Sequence, residues 1–289
     1  MAGTLFVVAT PIGNLEDLTF RALRTLKEVD LIAAEDTRRT LKLLSHYGIR
    51  KPMVSLHAHN ETRETPKLVA RLERGDSVAL VSDAGTPAIS DPGEWLVRAA
   101  LAAGINVTPI PGPSAITAAL SVSGLPAGEF VFMGFVPRSG KARAGWLQRL
   151  SGESRTVVFF EAPHRLSRIL ADVRHILVNR PIMIHKELSK IHEKLVKYSS
   201  TDDHLELAQR GEFVIVVGGA PAKTNGNNIL EANMDRAVVV FDCLTNNCEC
   251  SIDEACVIVS GAFGLEASVI RKAAKRARIA HRRREDALS

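Results

Sequence analysis

Along the first 110 positions, apolar residues fall in short unbroken blocks: Thr4–Ala9, Leu31–Ala34, Val54–Leu56, Val78–Val81 and Val107–Ile110. Blocks of this length, rich in β-branched side chains, predict buried strands. Between them, Leu18–Lys27, Thr37–Tyr47, Thr65–Arg74 and Glu94–Ala103 space their apolar residues as helices do. Asp91-Pro-Gly93 predicts the start of the last of these, and Gly104 its end. Strands alternating with helices predict βαβ units and a mainly parallel sheet.

The pattern loosens over Ser121–Glu129 and then resumes. Phe130–Phe135, Thr156–Phe160, Ile182–His185 and Phe213–Val217 are predicted strands of a second α/β domain. Helices are predicted near Ala142–Leu150, Arg165–Ile176 and Asp203–Gln209. After Gly219 the chain reads Ala-Pro-Ala-Lys-Thr-Asn-Gly-Asn-Asn, a linker composition. Three helical patterns follow, Asp235–Leu244, Ile252–Val259 and Glu266–Arg278. A tight Gly-containing turn joins the last two, and the second is strongly basic, as in a helix-turn-helix. A plain three-helix packing module is the alternative. The layout is thus 1–120, 121–220, a linker over 221–232, and a small helical basic module over 233–289.

At 289 residues and 46% apolar, the chain is long enough for two full cores. No apolar run approaches the roughly 18 residues of a membrane span, and the N-terminus reads as a strand rather than a signal peptide. A cytoplasmic protein without a membrane partner is the expectation. The net charge of +5 is concentrated at the C-terminus. There Arg271, Lys272, Lys275, Arg276, Arg278, Arg282, Arg283 and Arg284 would attract a polyanion, most simply a nucleic acid. Cys243, Cys248, Cys250 and Cys256 are spaced C-x4-C-x-C-x5-C, a poor match to zinc ligation, so no metal is expected.

Two loops carry the chemistry. Val81–Pro92 and Pro109–Ala115 each follow a predicted strand and are too rich in Gly and Pro to continue one. Such loops at strand ends build a ligand crevice in α/β sheets. Small residues such as Gly85, Gly112 and Ala115 let backbone groups approach a ligand, and Ser114 is placed to open a helix. No G-x-G-x-x-G follows a strand, which excludes the usual dinucleotide fingerprint. Gly134–Lys141 mimics a P-loop but lacks its magnesium-binding hydroxyl, and is expected to be a mobile basic loop.

Ala9–Thr19, Ala34–Thr40, Ser82–Pro87, Ile89–Gly93, Pro109–Ala115, Phe160–Arg165 and Lys186–Lys190 together resemble the tetrapyrrole-methylase-like (class III) S-adenosylmethionine-dependent methyltransferases. Within that class they are similar to the members that act on small-subunit ribosomal RNA. The resemblance implies two α/β domains with S-adenosylmethionine in the cleft between them, usually in a homodimer. It implies 2′-O-methylation of a cytidine ribose in the decoding region of 16S rRNA. By position it implies cofactor contacts at Pro11, Asp83, Thr86, Ile89, Ser114, Ala115, Phe160, Glu187 and Val214. The first loop, Thr10-Pro-Ile-Gly-Asn14, departs from the Gly-Pro-Gly-Asp type of the tetrapyrrole enzymes, which argues against a porphyrin-like substrate.

A ribose hydroxyl is a weak acid, so a general base would help. Asp36, His57 and Glu187 are candidates; a helix cap, a loop histidine and an ion-pair partner are the respective alternatives. Arg38, Arg39, Lys141, Arg143, Arg165 and the C-terminal Arg271, Lys272, Lys275 and Arg276 are candidate RNA contacts. Methylation of a tetrapyrrole or corrinoid precursor shares the fold but leaves the basic tail unexplained. A metabolite-sensing DNA-binding regulator is the non-enzymatic alternative.

Overall fold

The five apolar blocks of the N-terminal half form one sheet in the computed structural model, which describes residues 2–177, 180–198, 211–220, 234, 237–238, 240–241, 245, 251–263 and 265–275. The strands are β1 (Thr4–Val8), β2 (Leu31–Ala34), β3 (Met53–Ser55), β4 (Val78–Val81) and β5 (Asn106–Ile110). Their order is β3-β2-β4-β1-β5, and every pairing is parallel. β2 and β4 are buried at every position, as inner strands covered on both faces must be.

Alternation along the strands assigns the helices to faces. Ile32, Ala34, Ala79 and Val81 face α1 (Phe20–Glu28) and α2 (Thr37–His46) through Leu26, Leu43 and Leu44. Leu31, Ala33, Val78 and Leu80 point the other way. They meet Leu68, Leu72 and Leu96 of α3 (Glu61–Glu73) and α4 (Glu94–Ala102). Two ends differ from the sequence prediction. α3 begins at Glu61 rather than Thr65, because the Asn60 side chain accepts the His57 N–H (2.8 Å) and closes a turn that starts the helix early. α4 is capped not by Asp91 but by Glu61, whose carboxylate accepts the N–H groups of Gly93 (2.8 Å) and Trp95 (3.0 Å).

α5 (Ala115–Val122) leads to a second sheet of β6 (Phe130–Phe135), β7 (Thr156–Glu161), β8 (Ile182–Lys186), β9 (Lys194–Tyr198) and β10 (Phe213–Val217). Its order is β6-β7-β10-β8-β9, and only β6 and β7 are parallel. β9 has no counterpart in the sequence prediction. It is an edge strand with two lysines, mostly exposed, so no apolar block marks it. α6 (Gly140–Gly152) and α7 (Leu166–Ile176) cover this sheet through Trp146, Leu150 and Ile169 packed on Phe159, Ile184 and Ile215. α6 starts at Gly140, which corrects the expected loop: Lys141 stands in a helical first turn. The helix predicted at 203–209 lies outside the described residues.

By its contacts the chain divides into two units, 1–220 and 221–289; the first holds both sheets, each with its own core. In the second, α8 (Ile252–Phe263) and a helix over 267–275 bury Ala255, Cys256, Val259, Ile270 and Ala274 against Ala237 and Phe241. The linker, Cys243, Cys248, Cys250 and the cations from Arg276 onward lie outside the described residues. Among the described residues, no helix is long and apolar enough to cross a membrane.

Glu61 is buried, and its two N–H partners open α4. Glu61→Ala is expected to cost about 1–3 kcal/mol in urea unfolding, because the buried Gly93 N–H and the partly buried Trp95 N–H lose their acceptor. Glu61→Gln, which keeps an acceptor oxygen, costs less.

Candidate functional site

The cleft lies at the carboxyl ends of the first sheet's strands, where parallel α/β sheets place ligands. Its floor is set by the loops after β1 and β4. Thr10 and Gly85 exchange both backbone hydrogen bonds at 2.9 Å, and the Thr10 hydroxyl donates to the Ser82 carbonyl (3.1 Å). Gly85 has φ +78°, a left-handed conformation that favours glycine. A Cβ on Gly13 would come within 2.4 Å of the Lys190 side chain and 2.8 Å of the Leu188 carbonyl. The first loop therefore presses against the β8–β9 loop of the other sheet.

Four non-glycine residues among those described have positive φ: Ala88, Ser90, Glu187 and Ser189. All four lie in the two loops that flank this cleft. Left-handed backbone costs about 1 kcal/mol or more per residue and persists only where surrounding bonds impose it. Glu61, holding Gly93 and Trp95, supplies that restraint on the first loop.

Asp83, Thr86, Ile89, Ser114, Ala115, Phe160 and Val214 surround one hollow of about 510 Å³, the size range of nucleotide-scale ligands. Two other residues expected there do not line it. Pro11 is replaced at the wall by its neighbour Ile12. Glu187 turns away to accept from the Glu212 N–H (2.8 Å) and the Lys190 ammonium (3.0 Å), and Leu188 and Glu212 line the cleft instead. Burial pushes the Glu187 carboxyl up, but those two donors outweigh it and hold it below its ordinary value. Ser114 precedes α5, as expected, but its side chain makes no cap hydrogen bond.

The candidate bases fare differently from one another. Asp36 caps α2, accepting from the Arg38 N–H (2.9 Å) and pairing with the Arg38 guanidinium (2.7 Å). Arg38 holds its carboxyl well below the usual range, so Asp36 is a poor proton acceptor, and it does not line the cleft. His57 also lies off the cleft; its Nδ1 accepts from the His59 N–H (3.2 Å) at the turn into α3.

Three carboxyl groups form one wall of the cleft: Glu35, Asp83 and Asp91. Glu35 accepts the Asp83 N–H (3.1 Å), Asp83 accepts the Asp36 N–H (3.1 Å), and Arg39 pairs with Asp83 at 3.3 Å. Burial raises the Glu35 carboxyl. Burial, followed by the negative charge of Glu35, pushes Asp91 to about 6. In the sequence, Glu35 carries no signal of this wall and Asp91 signals only a helix start, because the two meet through loops 56 positions apart in the chain.

Of the candidate RNA contacts, Arg39 lines the cleft, while Arg38 and Lys141 are exposed. Arg143 is withdrawn from that set. Its guanidinium is buried and donates to Asp172 (2.5 Å) and to the Pro137 carbonyl (3.2 Å), so it ties α6 to α7. Arg165 is likewise engaged inside the protein, with Glu161 (2.5 Å) and the Val136 carbonyl (2.9 Å). In the second unit Arg271, Lys272 and Lys275 are exposed on the helix over 267–275, with Arg271 paired to Asp253. Arg276 lies outside the described residues. No cluster of metal-ligating side chains occurs among the described residues.

Residues 4–202 match the family of Tetrapyrrole (Corrin/Porphyrin) Methylases. The chain is 49% identical over 234 residues to the ribosomal RNA small subunit methyltransferase I of Pseudomonas aeruginosa, covering 79% of this chain and 83% of that protein. It is 41% identical over 276 residues to the protein of that name from Haemophilus influenzae, covering 93% and 95%. Among solved structures, uroporphyrin-III C-methyltransferase from Thermus thermophilus, complexed with S-adenosyl homocysteine, has the same fold. Its TM-score is 0.53 at 19% identity, over 75% of this chain and 97% of that one. The chain belongs to the tetrapyrrole (corrin/porphyrin) methylase family, and within it to the ribosomal RNA small subunit methyltransferase I proteins.

Proposed function

We propose that this protein transfers a methyl group from S-adenosylmethionine to the 2′-hydroxyl of a cytidine ribose in the decoding region of 16S rRNA, working in the cytoplasm as a homodimer. The observation that carries this reading is the composition of the cleft. Phe160, Ile12, Ile89, Ile116 and Val214 offer an apolar lining suited to an adenosine, and Glu35, Asp83 and Asp91 offer negative charge to a sulfonium. A relative that matches 93% of the chain, and others that match about three quarters of it, are named ribosomal RNA small subunit methyltransferase I. A tetrapyrrole substrate fits less well: such enzymes are similar here at the level of fold alone.

When bound, S-adenosylmethionine supplies a methyl group activated on a cationic sulfur. The protein's own contribution is placement and proton handling. The carboxylate wall favours a cationic ligand over the neutral form left after transfer, which helps product leave. Asp91 takes the proton from the ribose hydroxyl: it lines the cleft, and burial with the charge of Glu35 pushes its carboxyl up to about 6. Arg39, paired only loosely to Asp83 and largely exposed, is placed to hold a phosphate beside the target ribose. The backbone of the 82–93 loop, held in left-handed turns, keeps Asp91 in position without a mobile element.

The direct test is transfer of labelled methyl from S-adenosylmethionine to small ribosomal subunits lacking native modification, with the product mapped. Label on a decoding-region ribose is expected. Absence of label on the RNA, with S-adenosylmethionine still bound, removes the substrate assignment.

Asp91→Asn is expected to lower kcat by about 10²-fold or more with little change in S-adenosylmethionine affinity. The wild-type rate should rise with pH through about 6 and level above it, a limb the variant lacks. Stability should move the opposite way. The folded carboxyl titrates near 6 against an ordinary 3.8, so folding favours its protonated form. The resulting penalty is absent below about pH 3.8, grows between the two values and is complete above about pH 6. Asp91→Asn should therefore melt higher than wild type at pH 8, the difference shrinking as pH falls toward 4.

A further inference from the structure

We infer that the exposed face of α1 and α2 is a docking surface for the RNA phosphate backbone, leading to the cleft and separate from the C-terminal basic module. The inference rests on the rRNA substrate proposed above and adds which part of the body grips it.

The two faces of the first sheet carry opposite charge patterns. From Phe20 to Lys51 the chain has eight cations (Arg21, Arg24, Lys27, Arg38, Arg39, Lys42, Arg50 and Lys51) against four carboxylates. Arg21, Arg24 and Lys27 recur every third residue along α1 and are all exposed, a stripe of about 9 Å along the helix axis. Lys42 and Arg50 continue the exposed charge on and after α2. Among the described residues none of these five has an ion-pair partner. Lys51, half-buried, lies close enough to Asp30 to help lower its pKa.

On the opposite face the cations are neutralised. Arg63 and Lys67 pair with Glu64, Arg71 with Asp76, and Arg98 with Glu94; among the described residues of α3 and α4 and the turn after α3, only Arg74 is left over. One face of the same sheet thus spends its positive charge internally, and the other presents it to solvent. Unpaired cations cost a protein self-repulsion and favour a polyanionic partner.

Location supplies the second observation. α1 and α2 follow β1 and β2, so their first turns stand at the strand ends that border the cleft. Arg39 lines the cleft and continues the charge of the face into it. At the first position of α1, Phe20 is 93% exposed, although α1 is otherwise amphipathic. An aromatic ring so placed, beside Arg21, is a platform on which an unpaired base can stack. A phosphate track ending in a stacking ring beside the cleft suits a single-stranded or looped RNA segment whose ribose must enter the site.

The test uses the full-length protein with Arg21→Glu, Arg24→Glu and Lys27→Glu combined, against a control with the same charge change on the other face (Arg63→Glu, Arg74→Glu, Arg98→Glu). Binding to undermodified small subunits is measured from 50 to 200 mM salt, together with S-adenosylmethionine affinity, kcat, KM and association state. The α1 variant is expected to bind subunits about 10²-fold more weakly at low salt, with a salt slope shallower by about 2–3. Its KM should rise while kcat and S-adenosylmethionine affinity hold, and the control should stay within about threefold of wild type. Unchanged RNA affinity in the α1 variant, or equal losses in both variants, overturns the inference. So does a change in association state without a change in salt-dependent binding, which would make this face a subunit contact. Wild-type methylation of the subunits upholds the proposed function whichever way the variants behave; a wild type that neither binds nor methylates them removes both.

Discussion

The reciprocal backbone pairing of Thr10 with Gly85 is the constraint on which the cleft depends. It joins the loops leaving β1 and β4, two neighbouring strands of the first sheet, and so fixes the floor on which any ligand rests. The Thr10 hydroxyl reinforces it from the Ser82 carbonyl. From that point the 82–93 loop is committed to a narrow path: Gly85 left-handed, Ala88 and Ser90 forced into the same region, and the far end caught by the Glu61 carboxylate. A loop with this much imposed conformation cannot relax its side chains independently. That is why Asp83 and Asp91 can be held beside Glu35 despite mutual repulsion.

The repulsion has a use. Burial raises the proton affinity of Glu35 and Asp91, and neighbouring negative charge adds to it. Left alone, the wall destabilises the fold, and Arg39 offsets only part of this through Asp83. A cationic ligand offsets more. Negative charge stored in a rigid cleft thus favours a cationic sulfonium over a neutral ligand.

The second sheet contributes differently. Its strands are largely antiparallel, and it meets the cleft with an apolar side: Phe160 from the end of β7 and Val214 from β10. Arg143 and Arg165, which look like surface cations in the sequence, are consumed in holding α6, β7 and α7 together around it. Both halves contribute apolar and charged lining: Ile12, Ile89 and Ile116 join Glu35, Asp83 and Asp91 from the first, and Glu161 and Glu212 join Phe160 and Val214 from the second.

Much was legible in the sequence because it depends on local rules. Continuous apolar blocks announce the buried strands, and Gly and Pro announce the loops at their ends; the expectation of cofactor contacts at Asp83, Thr86, Ser114 and Phe160 comes from the family resemblance. β9 escaped because an exposed edge strand needs no apolar block. The surroundings of Glu187 and Asp91, and the position of His57 off the cleft, come only from the tertiary structure. A carboxylate's role depends on which donors and charges surround it, and those come from Arg38 next door for Asp36, from Glu212 across a sheet for Glu187, and from Glu35, distant in sequence, for Asp91. Sequence determines which strands and turns form, because hydrophobic period and backbone stereochemistry act over a few residues. Proton affinity is set by burial and by charges several ångströms away, and only the folded chain brings those together.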